Sequence, residues 1–242
     1  MSAIQRKYEE MMQAYQQSQE LPSSVTTVVR SVQELLGEEM REINSDGLLS
    51  EQGKQVERAK LRDKYGKAFL AEAKKLRDEY DKAVIKAQVS AEVLLNEEPP
   101  KSSDVSVKTF QRELEALKMD VLLGTDPEAS AKAIEAFASK QTDPYLAKQL
   151  AGEFAGLANS VLSSANNDPQ VKLKLRDAYG TISDKALLPE QKKAAEIAGY
   201  MQDSFGKPLF REQSIEMNAI EQTVGSKYTQ YANKPHLFVE TE

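Results

Sequence analysis

From Ser23 to Asn96 the chain contains no proline, and apolar residues recur there at helical spacing. Val25, Val28, Val29, Val32, Leu35, Leu36, Met40 and Ile43 alternate by threes and fours, which predicts a helix that buries one stripe. Ile43-Asn44-Ser45-Asp46-Gly47-Leu48-Leu49-Ser50 interrupts the pattern. Asparagine and glycine readily take the left-handed backbone found at helix ends. Ser50 is a good N-cap for a following helix with Glu51 in its first turn. That second helix is predicted from Glu51 to about Asn96, roughly 70 Å at 1.5 Å per residue. Its apolar seam reads Phe69, Ala73, Leu76, Tyr80, Ala83, Ala87 and Leu94, with small alanines that let a partner helix approach closely. Upstream, Ser2 to about Glu20 carries Ile4, Tyr8, Met11, Met12 and Tyr15 on one helical face. Leu21-Pro22-Ser23-Ser24 predicts a break or kink, because proline lacks a donor and disfavours helical angles in the residue before it. The helix after Pro22 is too short to cover the longer one, so the first helix is expected to continue along the same axis. Three segments then form an asymmetric antiparallel hairpin over residues 1–97, closed at 44–50.

Charge agrees with that pairing. From Arg30 to Glu51 there are six acids against two bases; from Lys54 to Lys86 there are eleven bases against six acids. Exposed pairs contribute only about 0.2–1 kcal/mol each, so the asymmetry steers pairing more than it stabilises it. Glu97-Glu98-Pro99-Pro100-Lys101-Ser102-Ser103-Asp104 cannot continue a helix, and residues 98–105 read as a linker.

Beyond the linker the texture changes. Phe110, Leu114, Leu117, Val121 and Leu122 mark a helix ended by Gly124. Thr125-Asp126-Pro127, Thr142-Asp143-Pro144 and Asn167-Asp168-Pro169 then share one start signature, aspartate as the cap and proline at the first helical position. Leu188-Pro189-Glu190 is a weaker fourth start. Leu146 to Ala165, rich in Ala, Gly and Ser, is expected to be the central, closely approached helix. Phe205-Gly206-Lys207-Pro208 breaks the chain before a last helix with Ile215, Met217, Ile220, Val224, Tyr228 and Tyr231. The expected architecture is all-α: the long N-terminal hairpin, then an up-and-down bundle or short array of about six helices over 106–232, then a flexible tail, 233–242.

An apolar content of 40% with 7% aromatic residues suits thin helical bundles. A net charge of −6 argues against a general nucleic-acid binder. With no cysteine there are no disulfides, thiolate metal sites or cysteine nucleophiles. Met1-Ser2-Ala3-Ile4-Gln5-Arg6-Lys7 lacks the apolar core of a signal peptide, and no apolar stretch is long enough for a membrane span, so synthesis in the cytoplasm is expected.

Catalytic chemistry has little to stand on. The one histidine, His236, lies near the end of the sequence, which removes Ser-His-Asp mechanisms built on a buried position and the Glu-x-x-His pairs of di-iron bundles. Glu38, Glu39 and Glu42 read as an acidic helix face rather than metal ligands. Asn44-Ser45-Asp46-Gly47 lacks the alternating ligands of a calcium loop, and position 12 counted from Asn44 is Gln55. There is no glycine-rich phosphate loop and no Gly-x-Ser-x-Gly elbow. Lys74, Lys75 and Arg77 sit among Glu72, Asp78, Glu79 and Asp81, as on a solvated face. No cofactor or metal is expected. Tyr65, Phe69 and Tyr80 are natural seam residues. Were the distal seam to lack an intrachain partner, Phe69, Leu76, Tyr80 and Leu94 would form a binding surface for another chain.

The run Ile43-Asn44-Ser45-Asp46-Gly47-Leu48-Leu49-Ser50-Glu51-Gln52-Gly53-Lys54, set between a short amphipathic helix and a long Lys/Glu/Tyr/Ala helix, resembles a turn in structural and morphogenesis proteins of tailed bacteriophages. The resemblance covers about residues 1–95 and rests on an N-x-D-x-x-L-S-x-x-G-K pattern. It implies assembly around a capsid or tail without catalysis. Phage scaffolding proteins often end in a basic helical segment, whereas this sequence ends in Val239-Glu240-Thr241-Glu242. The expectation is a non-enzymatic structural or assembly protein that acts through helix–helix contacts. Its partners would be copies of itself or capsid or tail proteins, with no specific nucleic acid and no membrane, and it could be incorporated in the virion. The alternative is a cytoplasmic coiled-coil chaperone or adaptor whose hairpin grips a client.

Overall fold

Ser2 opens the first helix, α1 (Ala3–Glu20), by accepting a hydrogen bond from the Gln5 amide. In the computed structural model, which describes residues 2–166 and 168–240, all regular structure among the described residues is helical. α1 passes through one 3-10 turn, Leu21–Ser23, into α2 (Ser24–Ser45). Pro22 sits at the start of that turn, where its missing N–H has no partner to lose, so the backbone stays helical and the expected break is only a tightening. At the end of α2, Asp46 Oδ1 accepts the Leu48 amide at 2.8 Å, and Ser50 Oγ accepts the Gly53 amide at 3.1 Å. These two side chains shape the turn into α3 (Glu51–Leu95), 45 residues long. The protein is all-α with the long N-terminal helical hairpin that the hydrophobic pattern predicts.

The chain divides into two units: residues up to 92 together with those from 196 onward, and residues 93–195. This differs from the expected division, which gave residues 106–232 to one bundle and 233–242 to a tail.

In the first unit α2 and α3 run antiparallel. Glu39 meets Lys64 and Tyr65, and Asn44 meets Lys54 and Arg58. Val25, Val29, Val32 and Leu36 of α2 are buried, as are Leu61, Tyr65, Phe69 and Ala73 of α3. α1 buries Met11 and Ala14, and its Tyr15 ring meets Tyr200 edge-on at 6.1 Å. Tyr200 belongs to the last turns of α8 (Pro189–Gln202). The last predicted helix is shorter than expected. α9 (Ile215–Val224) stops at Gly225, whose φ of +94° favours a residue without Cβ, and α10 (Ser226–Thr229) follows. α9 packs against α2, burying Ile220 and Val224.

Around these helices the C-terminal segment is strapped onto α3. Phe210 is 1% exposed and meets the Phe69 ring edge-on at 5.3 Å. Asn233 clamps the Phe210 backbone, accepting from its amide at 2.9 Å and donating to its carbonyl at 2.7 Å. Phe238 packs on Tyr228 and Tyr231, and Glu240 pairs with Lys67. Residues 233–240, expected as a flexible tail, are therefore tied down; Thr241 and Glu242 lie outside the described residues.

The second unit holds α4 (Asp104–Leu123), α5 (Pro127–Lys140), α6 (Pro144–Ser164), α7 (Pro169–Lys185) and the start of α8. Asp126, Asp143 and Asp168 each accept amides of the first turn, with proline at the first position, as their sequence signature predicts. Asn167, the first residue of the third signature, lies outside the described residues. The fourth start uses Gln191, whose Oε1 accepts the Leu188 amide at 3.0 Å. α4 begins earlier than the first apolar residue suggested, because Ser103 caps it. The expected linker is correspondingly short, with Pro99 buried and Ser102 donating to Asp143. α6, expected as the central helix, packs against α4, α5 and α7, and α5 likewise packs against α4, α6 and α7. The α6 glycines take no part in that approach, since Gly152 and Gly156 face open space.

Candidate protein-interaction site

The four seam residues proposed as a partner surface are core residues. Phe69 and Leu94 are fully buried, and Leu76 and Tyr80 are each 6% exposed. Phe69 is covered by Phe210, and the Tyr80 hydroxyl donates to the Ser204 carbonyl at 3.2 Å. Burial pushes the Tyr80 hydroxyl above its ordinary value. The Leu94 carbonyl accepts from Gln191 Nε2 at 3.1 Å. The reading fails because residues far along the chain supply the cover that the hairpin alone lacked.

One socket on α3 shows how firmly that cover is seated. Tyr228 lies on Gly66, where an added Cβ would fall 2.3 Å from the ring. Its hydroxyl donates to Asp63 Oδ1, which also accepts from Lys227 Nζ at 3.1 Å. Lys67, then Tyr228 and Lys227, hold the Asp63 carboxylate well below its usual range. Asp63 and Glu240 in turn push the Lys67 ammonium up.

Charge on the hairpin is arranged differently from the expected facing arms. Glu39 Oε1 pairs with Lys64 Nζ at 2.8 Å and accepts from the Tyr65 hydroxyl at 2.6 Å. That carboxylate, with burial, pushes the Tyr65 hydroxyl up to about 12. Lys60 and Lys75 instead pair with acids on α3 itself. Glu34, Glu38 and Glu42 are exposed and form no ion pair among the described residues.

The feature that stands out is an open cleft of about 630 Å³ in the first unit, built by α2, α3 and α9. Leu36 and Met40 form its apolar floor, and Gln33, Gln222 and Thr223 line its sides. Arg58 and Arg62, one helical turn apart on α3, supply its charge, and no carboxylate lines it. Asn44 Oδ1 accepts from Arg58 Nε at 2.9 Å, which orients the guanidinium and leaves its terminal nitrogens open. Arg62 has no hydrogen bond or ion pair among the described residues. A fixed guanidinium fork matches carboxylate geometry. In the sequence both arginines stood unnoticed among the eleven bases of α3. No signal in the sequence singled them out: only the folded hairpin sets Arg58 beside Asn44 and α9 beside both.

Other candidates are already satisfied or bare. Lys118 borders an open groove of the second unit, but Glu115 and Glu153 hold it at 3.0 Å each and raise it. Arg77 pairs with Asp81 at 2.8 Å and donates to the Lys207 carbonyl. His236 is exposed. Among the described residues no three His, Asp or Glu side chains are grouped to hold a metal, and no helix is long and apolar enough to cross a membrane. No protein-family model matches the chain, and comparison with curated proteins and with solved structures finds no significant match.

Proposed function

We propose that the chain is a structural or assembly protein of a tailed-bacteriophage particle, acting through helix–helix contacts and not through catalysis. The observation that carries the recognition half of this reading is the cleft. It presents two uncompensated guanidiniums on rigid helices, beside amides and a shallow apolar floor. Such a surface suits a charged protein face: it is open, and it brings no nucleophile and base together. The phage half rests on the turn Asn44–Lys54 and the hairpin around it. Disrupting the gene in the phage that carries it, and imaging the particles from infected cells, tests the reading. Arrested or misassembled heads or tails are expected. Normal particle yield and morphology would overturn it.

A further inference from the structure

The cleft needs carboxylates, and the same chain carries a set with nothing to bind. Glu34, Glu38 and Glu42 recur every fourth residue on α2, all exposed and without ion pairs among the described residues. Four residues of helix advance about 6 Å, which is also the step from Arg58 to Arg62 on α3. Leu35, 51% exposed, lies beside this acidic ridge, as Leu36 and Met40 lie beneath the arginines. Ridge and cleft are thus complementary in charge, in axial spacing and in apolar content. They cannot meet within one molecule. At about 100° per residue the ridge points roughly 150° around α2 from the cleft-lining side, Gln33, Leu36, Met40 and Asn44.

From this geometry we propose that the Arg58/Arg62 cleft receives the Glu34/Glu38/Glu42 ridge of a second copy of the chain. Because donor and acceptor faces lie on nearly opposite sides of α2, the contact is head-to-tail and not two-fold. A head-to-tail contact does not saturate at a dimer; it propagates into a ring or an open filament. The inference rests on the assembly reading above and gives it a self-association mechanism. Guanidinium–carboxylate pairs at an open surface are screened by salt, since the Debye length falls from about 10 Å at 0.1 M to about 3 Å at 1 M. Association is therefore strongly salt-dependent.

Sedimentation velocity and mass photometry of the full chain test this with two variants. Arg58→Gln with Arg62→Gln removes the cleft's charge and leaves the ridge. Glu34→Gln with Glu38→Gln and Glu42→Gln removes the ridge's charge and leaves the cleft. All these side chains lie at the surface or line the open cleft, and helical circular dichroism with thermal unfolding confirms that each variant folds. The wild type is expected to form a ladder of oligomers at low salt that collapses at 1 M salt. Each variant alone is expected to lose the ladder. Their mixture should also stop short of a ladder, because each retains only one working face and those two faces belong to one wild-type-like pairing, giving a 1:1 dimer. A wild type that stays monomeric at every soluble concentration overturns the proposal, as does one that stops at a dimer. Either variant associating like the wild type, or a mixture that yields no dimer, does so too. Particles that need the gene, together with a monomeric wild type, would remove this inference alone. A head-to-tail ladder with particles indifferent to the gene would remove the phage reading alone.

Discussion

Gly66 is the position where one methyl group decides the most. Its Cβ would enter the Tyr228 ring, so Gly66→Ala must expel that ring or shift α3. Overpacking of this kind costs about 1–3 kcal/mol. Denaturant unfolding should show that loss, and limited proteolysis should show early cleavage after residue 225. Gly152→Ala is the control: it faces open space in a helix and should gain about 0.5–1 kcal/mol. Asp63 beside it predicts an acid limb. Its carboxylate is held below the ordinary range, so its contribution is present above about pH 4, the unfolded value, and is lost as pH falls further. Tyr65 predicts the opposite limb. Raised to about 12, it contributes fully below about pH 10, its unfolded value, and the contribution is lost as pH climbs toward 12. Thermal unfolding followed by circular dichroism across pH checks both, with Asp63→Asn expected to flatten the acid limb and Tyr65→Phe the alkaline one. An unchanged acid limb in Asp63→Asn would show that the socket's charge is not what stabilises it. None of this was legible in the sequence, because Asp63 and Tyr228 are brought together only by the completed fold.

Elements were far more readable, since their signals are local. The Asp-Pro pairs at 126, 143 and 168 mark true starts, because a cap acts within three residues of itself. The turn at 44–50 is likewise closed by its own Asp46 and Ser50. Where an element depends on a distant group, local reading falls short. Gln191 is 1% exposed and donates to the carbonyls of Leu94 and Glu97, ending α3 while its Oε1 starts α8. Gln191→Ala strands those buried groups and should cost about 1–3 kcal/mol by chemical denaturation. A change under a few tenths of that would mean water replaces the side chain. The last helix was overextended for a simpler reason: its apolar spacing continues past Gly225 to Tyr228 and Tyr231, and only the positive φ at Gly225 ends it.

At the scale of the molecule, hydrophobic periodicity established an all-α chain and the hairpin but not who covers whom. Periodicity says that Phe69 wants a neighbour; it does not say that the neighbour is Phe210. The Arg58/Arg62 cleft escaped for the same reason, since its third wall is α9, some 160 residues downstream. A chain cut after residue 195 should expose the Phe69 face and bind an apolar dye such as ANS, whereas the full chain should not. Equal dye fluorescence from both would show that the strap is not needed as cover. The strap also sets a timetable. The second unit is one uninterrupted stretch, 93–195, and can form as soon as it emerges from the ribosome. The first unit is begun before it and finished after it. At about 5–20 residues per second, the interval between residue 92 and residue 240 is on the order of 10 s. Throughout that time Phe69 on the nascent α3 lacks its Phe210 cover, so translation speed, and any holdase bound to that face, governs how much of the protein escapes misassembly.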